Sequence, residues 1–164
     1  MPNRRRFIQT AAASSAPLIL PHHLLGASTA NAKLNIVGVG IGGMGLNYCN
    51  ACDSENIVAL CDVDDKHSAK AYKTFPKATR YQDFRKMFEK ETFDAVIVGT
   101  PDHWHAIIAM TAMQMGKHVY CAKPLTRTVY EARQLTLMAA KSKVATQMSV
   151  QFNATREHRL LAEW

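Results

Sequence analysis

Two rhythms alternate along this chain. Short, nearly unbroken apolar runs recur: Leu34, Ile36, Val37 and Val39, then "NIVALCD", "FDAVIVGT", "KHVYCA" and "VATQMSV". Each is bounded by glycine, proline or polar residues and predicts a buried β-strand. Between them lie stretches with helical spacing. Phe84, Met87 and Phe88 fall at i, i+3 and i+4 after Asp83, a residue suited to capping a helix. "TPDHWHAIIAMTAMQMG" predicts a helix broken from the strand before it by Pro101, capped by Asp102 and ended by Gly116. A helix from Thr128 to about Ser142 places Val129, Ala132, Leu135, Met138 and Ala139 on its buried side. A helix starting at Asp64 or Asp65 stops before Pro76, 78–81 predicts a short edge strand, and 153–164 reads as helical. Strands alternating with helices at short intervals imply an α/β fold with a doubly wound parallel sheet, and the six strands complete a dinucleotide-binding sheet of the Rossmann kind.

The first strand runs into "GVGIGGMG", with Gly38, Gly40 and Gly43 in G-x-G-x-x-G spacing. Glycine serves there for the turn out of the strand, for close approach of backbone to a pyrophosphate, and for packing of the next helix on the sheet. That helix, about 43–52, aims its free N–H groups at the phosphates. Gly38, Gly40, Ile41, Gly42 and Gly43 are therefore candidate cofactor contacts. Asp62 ends the second strand, where a carboxylate accepts hydrogen bonds from both hydroxyls of an adenosine ribose. Asp64 and Asp65 follow with no arginine near them in sequence, so NAD is expected over NADP.

The formal charge is +7, which invites a nucleic-acid reading. Three of the 20 basic residues are Arg4, Arg5 and Arg6; without them 17 remain against 13 acidic residues, a net charge of +4. No base-reading motif accompanies the lysines and arginines between Lys70 and Lys90, which read as a solvated helical face, and no nucleic-acid partner is expected. His103 and His105, two apart on a helix, do not share a face and suggest no metal site. Cys49 and Cys52 have thioredoxin spacing but lie late in a helix, and Cys61 and Cys121 fall in or beside strands as small apolar residues.

Residues 3–9, "NRRRFIQ", resemble a twin-arginine export signal. The apolar stretch after them, to Leu25, is too short and too polar for a stable membrane span, and Ala30-Asn31-Ala32 offers a cleavage site. The expected division is a signal over 1–32, a dinucleotide-binding domain over 33–151, and a bridge over 152–164. Twin-arginine export carries folded protein, which suits a cargo that takes its cofactor from the cytoplasm.

"VGTPDHWHA" and "GKHVYCAKPLT" are more specific than the fold. With the glycine loop they resemble the glucose–fructose oxidoreductase / inositol dehydrogenase family, Gfo/Idh/MocA, from about Leu34 onward. The resemblance implies that Thr100, Pro101 and His105 lie beside the cofactor. It also implies that Lys123, followed by Pro124, is the lysine of a Glu-Lys-Pro motif, holding the reacting hydroxyl as hydride leaves its carbon. Ala122 replaces the glutamate of that motif, and "QMSVQ" replaces the Gln-Met-Gly-Asn-Gln of exported relatives. The family's second domain, which covers the nicotinamide and contacts substrate, would begin near Trp164. The expected activity is NAD-dependent hydride transfer at a secondary alcohol of a sugar or cyclitol, or else dinucleotide binding without turnover. Expected partners are the dinucleotide, a sugar or cyclitol, and either another copy of the chain or a separately encoded C-terminal half.

Overall fold

The computed structural model describes residues 33–150, 155–156 and 160–161. The export signal, and most of the helix expected over 153–164, lie outside them. Six strands are seen among the described residues: β1 (Asn35–Val39), β2 (Asn56–Cys61), β3 (Thr79–Tyr81), β4 (Ala95–Val98), β5 (His118–Cys121) and β6 (Thr146–Met148). The helices between them are α1 (Met44–Asn50), α2 (Ala69–Thr74), α3 (Phe84–Lys90), α4 (Asp102–Gln114) and α5 (Val129–Ser142). The sheet runs β3-β2-β1-β4-β5-β6 with every pairing parallel. This is the doubly wound order, and its direction of winding reverses between β1 and β4.

Strand alternation sends successive side chains to opposite faces, so each strand feeds two cores. Val37, Val39, Ala59, Cys61, Val96 and Val98 pack with Phe84, Met87, Phe88 and Ile108 on one face. Ile36, Leu60 and Ile97 pack with Ile41, Leu46, Cys49 and Tyr72 on the other. Burial on both faces explains why these strands read as apolar runs rather than alternating patterns.

Local chemistry sets the helix boundaries. Asp83 caps α3, its carboxylate accepting from the Arg85 amide. Thr128 caps α5 through a reciprocal box, in which its hydroxyl accepts from the Glu131 amide and Glu131 accepts from the Thr128 amide. Gly116 follows α4 with φ +71°, as a helix end requires.

Three expectations are corrected. Asp102 is the first residue of α4, and its cap position is Pro101. The second helix begins only at Ala69, because the Asp64 carboxylate takes the amides of Lys66 and His67 and closes a turn first. Val129 is 79% exposed; Leu135 alone in α5 is fully buried, with Met138 and Ala139 half-buried. The apolar stripe of that helix is narrower than helical spacing suggests because the helix packs on α4 and leaves its first turn exposed.

Candidate functional site

The cavity of about 660 Å³ at the C-terminal ends of β1, β2 and β4 lies where the strand order reverses. Its walls come from the glycine loop (Gly40, Gly42, Gly43), the end of β2 (Asp62, Val63), the start of α3 (Asp83, Phe84, Arg85) and the β4–α4 junction (Thr100, Pro101, His103, Trp104). Open α/β sheets bind ligands at this crevice.

The loop is built by close backbone contacts. Gly40 has φ +75°, and its amide donates to the Cys61 carbonyl at 2.8 Å. A side chain there would be strained and would meet the backbone of Thr100. The close packing of helix on sheet that the spacing assigns to Gly43 is made by Gly45 instead: a methyl at Gly45 would overlap the Gly40 carbonyl, and Gly99 faces it across the gap. Gly43 is exposed, has room beside it and gives α1 no side-chain cap. Gly42 lies against the imidazole of His67, which lines the cavity too.

Asp62 joins the loop to β2. Its Oδ2 accepts from the amides of Ile41 at 2.8 Å and Gly42 at 3.1 Å, and its Oδ1 accepts from Asp64 at 3.0 Å. Asp62 itself donates from its amide to the Tyr81 carbonyl at 3.0 Å, fixing β3 and the residues after it alongside. The chain then runs through Gln82 to Asp83 and Arg85 at the cavity wall. An arginine therefore does stand at this end of the pocket, contrary to the expectation drawn from local sequence. It is bonded to Asp83 through Nε and Nη2, each at 2.9 Å. That side-chain contact, with the Arg85 amide second, holds the Asp83 carboxyl below its usual range.

Thr100 lies in the same wall, and its buried hydroxyl has no hydrogen-bond partner. An orphan buried hydroxyl costs free energy unless a ligand or water meets it. With the exposed glycine at the helix start and the carboxylate at the end of β2, it makes this cavity a good fit for a dinucleotide.

His105 is fully buried beneath the wall rather than in it. Its Nδ1 lies 2.6 Å from the Pro124 carbonyl and its Nε2 lies 2.7 Å from the Thr100 carbonyl. It thus straps the β4–α4 junction to the segment after β5. Lys123 and Pro124 sit in that segment, exposed and joined by a cis peptide bond, outside the cavity wall. The Lys123 amide donates to the Ser149 hydroxyl at 3.2 Å, which is also 2.8 Å from the Tyr48 hydroxyl. Ser149 stands where the expected Gln-Met-Gly-Asn-Gln pattern has glycine. Its hydroxyl is turned inward, tying the end of β5 to α1 and to the residues after β6.

Comparison with known proteins agrees with this geometry. Residues 33–151 match the Gfo/Idh/MocA model, described as an oxidoreductase family with an NAD-binding Rossmann fold. The chain belongs to this family. It is 27% identical, over 97% of its length, to a glycosyl hydrolase family 109 protein of Shewanella pealeana, and spans 41% of that relative. Among solved structures it resembles myo-inositol 2-dehydrogenase from Lactobacillus plantarum, with TM-score 0.73 and 20% identity over 80% of this chain and 40% of that one. It also resembles the WlbA dehydrogenase of Bordetella pertussis in complex with NADH and UDP-GlcNAcA, with TM-score 0.70 and 20% identity over 78% of this chain and 40% of that one. Likeness to these solved structures at 20% identity shows the fold alone.

Among the described residues no helix is long and apolar enough to cross a membrane, and no group of three or more His, Cys, Asp or Glu side chains is placed to hold a metal ion.

Proposed function

We propose that this chain is the NAD-binding part of an exported oxidoreductase that transfers hydride at a secondary alcohol of a sugar or cyclitol. The observation that carries it is the unpartnered Thr100 hydroxyl in a crevice already furnished with the glycine loop and Asp62. The dinucleotide would supply hydride acceptance when bound. The chain's own residues would bind and orient it. The amides of Gly43 and the start of α1 would face the phosphates, those of Gly40, Ile41 and Gly42 being taken by the Cys61 carbonyl and the Asp62 carboxylate; Asp62 would accept from the adenosine ribose, and Thr100 and Pro101 would line the cavity toward the middle of the molecule. Lys123 would hold the substrate oxygen and take up or relay its proton as the C–H bond breaks. His105 positions that lysine by fixing the backbone at Pro124. Export rests on the run Arg4-Arg5-Arg6-Phe7 and the small residues at 30 and 32.

A second reading is favoured by the curated relatives, named as family 109 glycosyl hydrolases. NAD-dependent glycoside hydrolysis exists as a chemistry, and removing and returning a hydride at a sugar carbon leaves no net oxidation. Both readings use the same cavity. They separate in the full-length protein by whether NADH accumulates with product.

The binding step is tested on this chain by NADH fluorescence titration. Saturable binding is expected, and Gly43→Asp, which puts a carboxylate where the phosphates would lie, should abolish it while leaving the circular dichroism spectrum unchanged. Equal affinity in parent and variant would remove the assignment.

A further inference from the structure

NAD and NADP differ by a phosphate on the ribose 2′ oxygen, so coenzyme choice is decided beside Asp62. Among the described residues lining the cavity, Arg85 is the one lysine or arginine. A free guanidinium there would be suited to a phosphate dianion, since its planar fork matches phosphate geometry. Arg85 is not free. Its Nε and amide both bond Asp83 Oδ1, at 2.9 and 3.0 Å, and its Nη2 bonds Asp83 Oδ2 at 2.9 Å. The Arg85 side chain is 69% exposed and that of Asp83 31% exposed. Asp83 is fixed in place as the cap of α3, and an ion pair this open to water adds little stability of its own. Asp62 stands in the same cavity wall. Paired with Asp83, Arg85 presents a neutralised group there.

We propose that the Asp83–Arg85 pair is a coenzyme-selecting device: Asp83 withholds the charged fork of Arg85 from a 2′-phosphate, and the pocket rejects NADP for that reason as well as through Asp62. The inference rests on the dinucleotide assignment above. It places specificity on residues that follow β3, brought to the ribose end by the hydrogen bond between the Asp62 amide and Tyr81.

Asp83→Asn tests it, because asparagine still caps α3 while losing the charge that engages the guanidinium. The chain, the variant, and the double variant with Arg85→Gln are titrated with NADH and NADPH by fluorescence at one ionic strength. The parent should prefer NADH. Asp83→Asn should raise the ratio of NADPH to NADH affinity about tenfold, the scale of one charge-assisted bidentate contact, and Arg85→Gln should return it. Unchanged thermal midpoints keep the comparison within the folded protein. An unaltered ratio in Asp83→Asn, a gain that survives Arg85→Gln, or a parent preferring NADPH would overturn the device while leaving the dinucleotide assignment standing. A parent that binds neither coenzyme would overturn both.

Discussion

The Asp62 carboxylate accepts a hydrogen bond from the Ile41 amide at 2.8 Å, so the acid at the end of β2 and the glycine loop at the end of β1 are one unit. The loop's shape is therefore held by a side chain twenty-one residues away in sequence. Asp62→Ala leaves the Ile41 and Gly42 amides without this acceptor, at a cost of about 2 kcal/mol for bonds to a charged group. NADH affinity should fall by more than about tenfold, because the ribose contact goes and the loop loosens. Urea denaturation and fluorescence titration measure the two effects. A variant with parental stability would show that the loop holds its shape without the carboxylate.

His105 is the clearest case of a side chain whose work is to hold two loops. Both ring nitrogens face backbone carbonyls, those of Thr100 and Pro124, and no part of the ring is exposed. His105→Phe keeps the volume and removes both partners. Each tautomer of the ring carries one N–H, so at least one buried carbonyl loses its donor, at a cost of about 1–3 kcal/mol. Hydrogen exchange should also quicken at the Lys123 amide, the nearest reporter on the strapped segment. Loss of stability without faster exchange there would place the effect in packing alone.

These residues show what sequence carries and what it conceals. The strands were legible because Val37, Val39, Val96 and Val98 are buried in a sheet covered on both faces, which leaves an apolar run in the sequence. Asp62 was legible because its distance from the loop is set by one βαβ unit. Arg85 was not, since only the parallel register of β2 with β3, Cys61 beside Tyr81, brings it to the same pocket. Helical spacing placed Val129 inside, but burial follows what the neighbouring elements reach, and Val129 and Tyr130 in the first turn of α5 are exposed. In the glycine motif, spacing located the turn at Gly40, while the contact between helix and sheet fell to Gly45, two positions beyond the G-x-x-G frame.

The four cysteines are free thiols with different surroundings. Burial pushes Cys49, Cys61 and Cys121 up to about 12 from an ordinary 9.0, while Cys52 is half-buried and raised, by burial first and then by Glu55. The folded protein thus binds more protons than the unfolded one between these values. Stability is fully present below pH 9 and declines as the pH rises from there toward 12. Near pH 8, iodoacetamide should label Cys52 first in native protein, and the other three only after unfolding. Mass spectrometry of tryptic peptides reads this directly. Labelling of Cys49 at the rate of Cys52 would contradict the burial of α1 against the sheet.

The Ser149 hydroxyl is shared between the Lys123 amide at 3.2 Å and the Tyr48 hydroxyl at 2.8 Å. Tyr48 also packs edge-on against Tyr120, with ring centroids 5.2 Å apart, so Tyr48→Phe removes the hydroxyl and keeps the ring contact. Ser149→Ala removes both bonds and leaves the Lys123 amide without this acceptor. It should cost more than Tyr48→Phe, about 2 against about 1 kcal/mol. The double variant should cost less than the sum, with a coupling of about 1 kcal/mol, because Tyr48→Phe has nothing left to remove once the serine hydroxyl is gone. Denaturation of the four proteins closes the cycle. Additive losses would mean that the two hydroxyls do not bond, and that Lys123 is placed by its own strand rather than by a link running from α1 through Ser149.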